Sequence, residues 1–351
     1  AGVSSFGAGG TNAHVILEEA PAAPACPASS VETSLPLLLS ARNPTALRAQ
    51  AGRWAVWLED HPDTPWPDVV RTAALHRTHF DTRASLAVRD VSAAVDALRC
   101  LSEDRAHPSV ALGAARVRGK VVFVFPGHGS QWAGMGRALL EDSSVFAETI
   151  AACDTALQPH TGWSVTAVLR GDEDAPDSAR VDVVQPALFA MGLGLAAVWR
   201  SSGIEPQAVV GHSVGELAAA VVSGALTLED GAHLIAVRAR LIAGVSKSGA
   251  MLSTGLAPAE LAARLEPFED RLSLAVINAA DSSVASGDAD AIAELEQALQ
   301  ADDVFCRRVS IGFAAHSPHM DAVLDVFGAE IGDRRAGVSH IPFYSSVTGT
   351  C

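Results

Sequence analysis

Ala208-Val209-Val210-Gly211-His212-Ser213-Val214-Gly215-Glu216 carries an apolar strand pattern directly into a G-x-S-x-G turn, and an alanine-rich helical pattern follows it. A strand that turns at once into a helix needs small residues on both sides of the turn, because a Cβ there would meet backbone. The turn lifts a serine hydroxyl clear of the sheet. The helix start behind it offers free amides and the positive end of a helix dipole to a developing oxyanion. Ser213 is therefore a candidate nucleophile; the plainer alternative is a serine capping a helix.

Working outward, a second apolar strand, Lys120 to Phe125, meets the turn Pro126-Gly127-His128-Gly129-Ser130, with a helix expected from near Gln131. Helical patterns cover Ala147 to Leu157, Gln185 to Trp199 and Leu228 to Ile242. Short alternations fill 249–311, with a strand at Leu274 to Ile277 and a helix over Ala289 to Leu299, and a strand-like run spans Ile341 to Thr348. Strand–helix alternation over 119–351 predicts an α/β unit with a parallel sheet. Residues 35–118 read as a small α/β unit: strands at Leu35 to Ser40 and Ala84 to Val88, helices over Thr45 to Glu59, Pro67 to Leu75 and Val91 to Leu101. Residues 21–34 have the Pro/Ala/Ser composition of a linker. Residues 2–20 give a Gly-rich turn and a strand, His14 to Leu17.

With 351 residues the chain is long enough for two cores. Apolar residues at 49% and charged residues at 19% describe a globular chain. The net charge of −15 and the lack of a basic run argue against a nucleic-acid surface and against adhesion to anionic membranes. Five scattered cysteines without C-x-x-C spacing read as free thiols of a reducing cytoplasm. The longest apolar stretch, Ala187 to Trp199, reads as a buried helix too short to span a bilayer. Residue 1 is Ala, and the chain stops just after a strand pattern, so it reads as an excerpt of a longer polypeptide.

A serine nucleophile needs a base, and twelve histidines are available. His316, closing the apolar stretch from Val309, is one candidate among several. His212 is expected to project away from the elbow and to pack or orient. His316 and His319 could suggest a metal, but no third ligand stands at ligand spacing. Arg238, among apolar neighbours in a helix, reads either as a surface residue or as a bidentate clamp on a substrate carboxylate. GAGGTN near the start fails the G-x-G-x-x-G spacing of a nucleotide site.

The segments FVFPGHGSQWAGMG, VDVVQPALFAM, VVGHSVGELAAAVVSG, the VRAR helix, SGAM and FAAHSPHMD occur in this order. Together they resemble the acyltransferase domain of type I modular polyketide synthases, related to malonyl-CoA:acyl carrier protein transacylases. GVSSFGAGGTNAHVILEEA, with His14, resembles the C-terminal tail of a ketosynthase (1–20), and 21–118 resembles the ketosynthase-to-acyltransferase linker. The resemblance implies an α/β-hydrolase-like core with an inserted ferredoxin-like subdomain over about 249–311. It implies Ser213 as nucleophile and His316 as base in a dyad, and the amides of Val214 and His128 as oxyanion hole. Arg238 corresponds to the arginine that holds the malonyl carboxylate. Gln185, His212, Asn278, Phe313 and Ala315 correspond to pocket positions. No metal or bound cofactor is implied. An acyl-CoA thioester is the substrate, an acyl carrier protein bearing phosphopantetheine the acceptor, and the ketosynthase and other domains of one cytoplasmic polypeptide the partners.

This chain departs from the family pattern in three ways: the acyltransferase domain, 119–351, reads as C-terminally truncated at Cys351, and two positions differ. His128 stands where the family usually has Gln. Phe313-Ala314-Ala315-His316 matches neither the HAFH of malonyl-selective domains nor the YASH of methylmalonyl-selective ones. Val214 leans towards malonyl, and the small Ala315 leaves space for an α-substituent. A methylmalonyl-selective or loading-module domain, a serine hydrolase and a non-catalytic scaffold or docking fragment of the synthase are the alternatives.

Overall fold

In a computed structural model the chain divides into two units, Ala1–Arg118 and Gly119–Cys351. The structure describes residues 1–20, 36–115, 119–245, 249–309 and 311–351; the linker composition at 21–34, with Cys26, lies outside them. The four described cysteines are free thiols.

In the first unit, β1 (Gly2–Phe6) and β2 (Asn12–Ile16) form an antiparallel hairpin exposed on both faces. β3 (Leu37–Ala41) is followed by α1 (Pro44–Asp60), α2 (Trp66–Leu75), β4 (Thr82–Leu86), α3 (Val91–Ser102) and β5 (Val110–Ala114). The three later strands form an antiparallel sheet in the order β3-β4-β5. The side chains of Asn43 and Asp90 cap α1 and α3 by accepting from the amides of Ala46 and Ala93, each at 2.8 Å. The helices bury Leu47, Leu58, Leu98 and Leu101 with Leu37, Leu39 and Leu86 of the sheet. β1 and β5 have no counterpart in the sequence reading. Val3-Ser4-Ser5 is too polar to show an apolar strand, and β5 is an edge strand with four exposed residues.

The second unit opens with β6 (Val122–Phe125), then α4 (Arg137–Asp142), α5 (Ser144–Thr161), α6 (Val165–Arg170), α7 (Val181–Ser201), β7 (Ala208–Gly211), α8 (Gly215–Ser223) and α9 (Leu228–Ala243). The helix expected near Gln131 begins only at Arg137. Before it, the Gln131 side chain accepts from the Gly129 amide at 2.8 Å, and Gly134 takes a left-handed φ of 73°, so the segment turns instead of coiling. The core gathers Phe146, Ile150, Leu157, Phe189, Val209 and Ile235 from α5, α7, β7 and α9. At 21 residues α7 is longer than the apolar stretch seen in the sequence, long and apolar enough to cross a membrane by length and composition. Ten of its residues are buried in this unit.

Next come β8 (Gly249–Thr254), α10 (Pro258–Leu265), β9 (Leu272–Ala279), β10 (Ser282–Asp288), α11 (Ala289–Ala301) and β11 (Cys306–Arg308). These six elements are a ferredoxin-like βαββαβ unit with sheet order β11-β8-β10-β9. Every neighbouring pair in it is antiparallel. The expectation of a parallel sheet across 119–351 therefore fails here, because helix-connected strands insert between one another instead of lying side by side. α10 and α11 bury Leu261, Ile292, Leu295 and Leu299 on Leu252 and Ala285. After α12 (Asp321–Ile331), β12 (Phe343–Ser345) returns to the first sheet, which is parallel in the order β12-β7-β6. The strand expected over Ile341 to Thr348 is shorter because Gly349 N donates to Ser345 O at 2.9 Å, turning the chain.

Phe189 is fully buried between α7 and its neighbours. Phe189→Ala is expected to destabilise the second unit by about 3–5 kcal/mol, read as a lower midpoint in chemical denaturation.

Candidate active site

β6 and β7 run parallel and end side by side, with Phe125 in register with Gly211. The turns beyond these two strand ends build one rim of the site. His212 N donates to Phe125 O at 2.9 Å, which fixes the elbow against the neighbouring strand. Ser213 takes a left-handed φ of 52°, a backbone strain common at functional positions. Gly215 opens α8 against β6: a Cβ there would lie 2.2 Å from Phe125 O and 2.8 Å from Pro126 O. Only glycine fits, and the two turns are thereby held in contact.

Ser213 Oγ lies 2.9 Å from His316 Nε2. His316 also has a left-handed φ, of 55°. The turn carrying it is fixed by Ser317 Oγ, which donates to Ala314 O at 2.8 Å. Among the described residues no carboxylate bonds the other ring nitrogen, so Ser213 and His316 stand as a dyad in geometry. Burial first, then Arg238 and His212, hold the His316 imidazole below its ordinary value of 6.5. Near neutrality it is unprotonated and able to take the Ser213 proton. The amides of Val214 and His128 have no acceptor among the described residues, so both are free to bind an oxyanion.

The dyad opens into a cavity of about 210 Å³ between the parallel sheet and the ferredoxin-like unit. Gln185, Arg238, Asn278, Phe313, Ala315, His128 and His212 line it, so each pocket residue expected from the sequence is brought together. His212 does not project away: it lines the cavity beside Ser213. Arg238 is not a surface residue. Its guanidinium is buried deeply enough that desolvation alone lowers its pKa to about 10, so it still carries its charge. It donates to the side-chain oxygen of buried Gln185, and among the described residues no carboxylate pairs with it. A buried cation without an anion is costly unless a ligand supplies one. His316 and His319 do not converge as metal ligands: His319 bonds Asp288 at 2.9 Å. A further cavity of about 420 Å³ in the first unit, lined by Trp54, Trp57, Asp68 and Arg77, contains no nucleophile–base pair.

Residues 122–350 match the family model of the acyl transferase domain. The chain belongs to this family. Residues 36–98 match the C-terminal region of CurL-like polyketide synthases. Polyketide synthase GfsA of Streptomyces halstedii is 43% identical over 99% of the chain, which spans only 5% of that relative. The solved acyltransferase domain from module 8 of the salinomycin polyketide synthase is 39% identical, with a TM-score of 0.84 over 90% of this chain and 75% of that one. A loading acyltransferase from the avermectin modular polyketide synthase is 46% identical, with a TM-score of 0.63 over 65% of this chain and 73% of that one.

Two contacts of the acyltransferase had no signal in the sequence. Glu216 accepts from Ser345 Oγ, Ser346 N and Ser346 Oγ at 3.1, 2.5 and 2.9 Å, tying the start of α8 to the loop after β12. The bond from His319 to Asp288 ties the histidine loop to the ferredoxin-like sheet. Both join residues far apart in the chain, which no local pattern reports.

Protonation of His316 removes the base, so acylation of Ser213 by a neutral ester is expected to fall on acidification, with a midpoint below 6.5. Arg238→Gln removes one of the causes of that lowering, so the midpoint should move up. A pH–rate profile of both proteins measures the shift.

Proposed function

We propose that the acyltransferase moves a malonyl-type extender unit from coenzyme A to the phosphopantetheine thiol of an acyl carrier protein, through an ester on Ser213. The observation that carries this reading is the buried Arg238 guanidinium, without a carboxylate partner among the described residues and in one cavity with the Ser213–His316 pair. A malonyl group brings the missing anion to Arg238 while its thioester reaches Ser213.

In the first half-reaction His316 Nε2 takes the Ser213 proton as Oγ attacks the thioester carbon. The amides of Val214 and His128 hold the oxyanion. The intermediate collapses by breaking the C–S bond, and the imidazolium returns its proton to the departing coenzyme A thiolate. In the second, His316 takes the proton of the carrier thiol, the sulfur attacks the ester, and Ser213 leaves with the proton. No resident cofactor is needed; coenzyme A is substrate, and phosphopantetheine belongs to the carrier. The ketosynthase and other domains of the same cytoplasmic polypeptide are the remaining partners, with residues 1–20 as a ketosynthase tail and 21–118 as the linker.

The 46% identity to a loading acyltransferase favours a second reading, selection of a monocarboxylic starter unit. Arg238→Ala separates the two. Under the malonyl reading the ratio of malonyl-CoA to acetyl-CoA acylation rates falls by about 100-fold, the loss of a desolvated charge pair. An unchanged ratio assigns the starter unit instead.

A further inference from the structure

We propose that the imidazole of His128, and not only its backbone amide, binds the free carboxylate of the acyl group together with Arg238. This assignment rests on the malonyl reading above. His128 follows β6 in the turn packed against the elbow and lines the same cavity as Ser213 and Arg238. Its Nδ1 is buried and has no hydrogen-bond partner among the described residues. Buried polar atoms of this kind are seldom left unpaired. The described lining of the cavity holds no anion for it: its charged and titratable groups are Arg238, His212 and His316, and Gln185 and Asn278 are neutral.

His128 also lines an adjoining cleft of about 490 Å³, which carries Asp177, Arg180 and Asp182. There Asp182 is engaged by Arg180 at 2.6 and 3.1 Å, and Asp177 accepts from the Ala179 amide at 2.9 Å. Neither acid bonds His128, and on the side of the catalytic cavity an anionic ligand would supply the acceptor that the lining lacks. A carboxylate on Arg238 is an acceptor beside it. Burial, and then the charge of Arg238, favour the neutral ring. A neutral ring can donate from Nδ1 in one tautomer, and a bound anion favours the protonated ring. Affinity for a malonyl thioester should therefore tighten on acidification.

Equilibrium binding of malonyl-CoA and acetyl-CoA to the Ser213→Ala protein, across a pH series, tests this without turnover. His128→Leu in that background is expected to weaken malonyl-CoA about tenfold relative to acetyl-CoA, the loss of one hydrogen bond to a charged group. His128→Gln keeps a donor, so it should retain most of the affinity at neutral pH and lose the part of the tightening on acidification that His128 contributes. An unchanged malonyl-to-acetyl ratio in His128→Leu overturns the assignment, as does the same pH dependence in His128→Gln. If wild-type Ser213 gains no acyl group from either thioester, the malonyl reading itself fails and takes His128 with it.

Discussion

The carbonyls of Phe125 and Pro126 leave no space for a side chain at residue 215. That contact presses the start of α8 against the end of β6, and the rest of the site follows from it. It sets the elbow so that Ser213 stands at the end of the sheet in a left-handed conformation. It brings the His128 turn beside the nucleophile, and the proposed reaction draws its two oxyanion amides from these separate turns. Parallel strands make this arrangement available, since both chains leave the sheet at the same edge. Glu216 then closes the arrangement from the third strand by accepting from Ser345 and Ser346.

The charge balance of the cavity is the second determinant. One arginine and three histidines face it, and among the described residues lining it there is no acid. Arg238 keeps its charge despite burial, and Gln185, a neutral partner, orients it without neutralising it. An anion entering such a site regains in pairing what the guanidinium lost in desolvation. Burial, and then the same positive charge, favour the unprotonated form of His316 that a base requires. In the proposed reaction Arg238 thus selects the substrate and helps burial keep the base ready.

Much of this was readable in the chain because it is local. The strand–turn–helix around Ser213 carries its own signature, and long apolar-periodic helices such as α5 and α9 declare themselves. Pairing was not readable at the residue level: from spacing, His316 was one of several histidines, and Arg238 had the look of a surface residue. The resemblance to acyltransferases singled out both, and the fold shows why pattern could not. Arg238 lies on α9 and Gln185 on α7, and their contact is made by helix packing. The sheet order of the ferredoxin-like unit was likewise hidden, because alternation of strand and helix is the same whether strands insert or follow in sequence. β5 was missed for a plainer reason, as an edge strand with little apolar pattern.

The central claim is that Ser213 accepts a carboxylated acyl group. Intact-protein mass spectrometry after brief incubation with malonyl-CoA, methylmalonyl-CoA and acetyl-CoA in competition tests it most directly. The account predicts a malonyl or methylmalonyl adduct that is absent from Ser213→Ala. An acetyl adduct alone, or an adduct that survives the loss of Ser213, would contradict it.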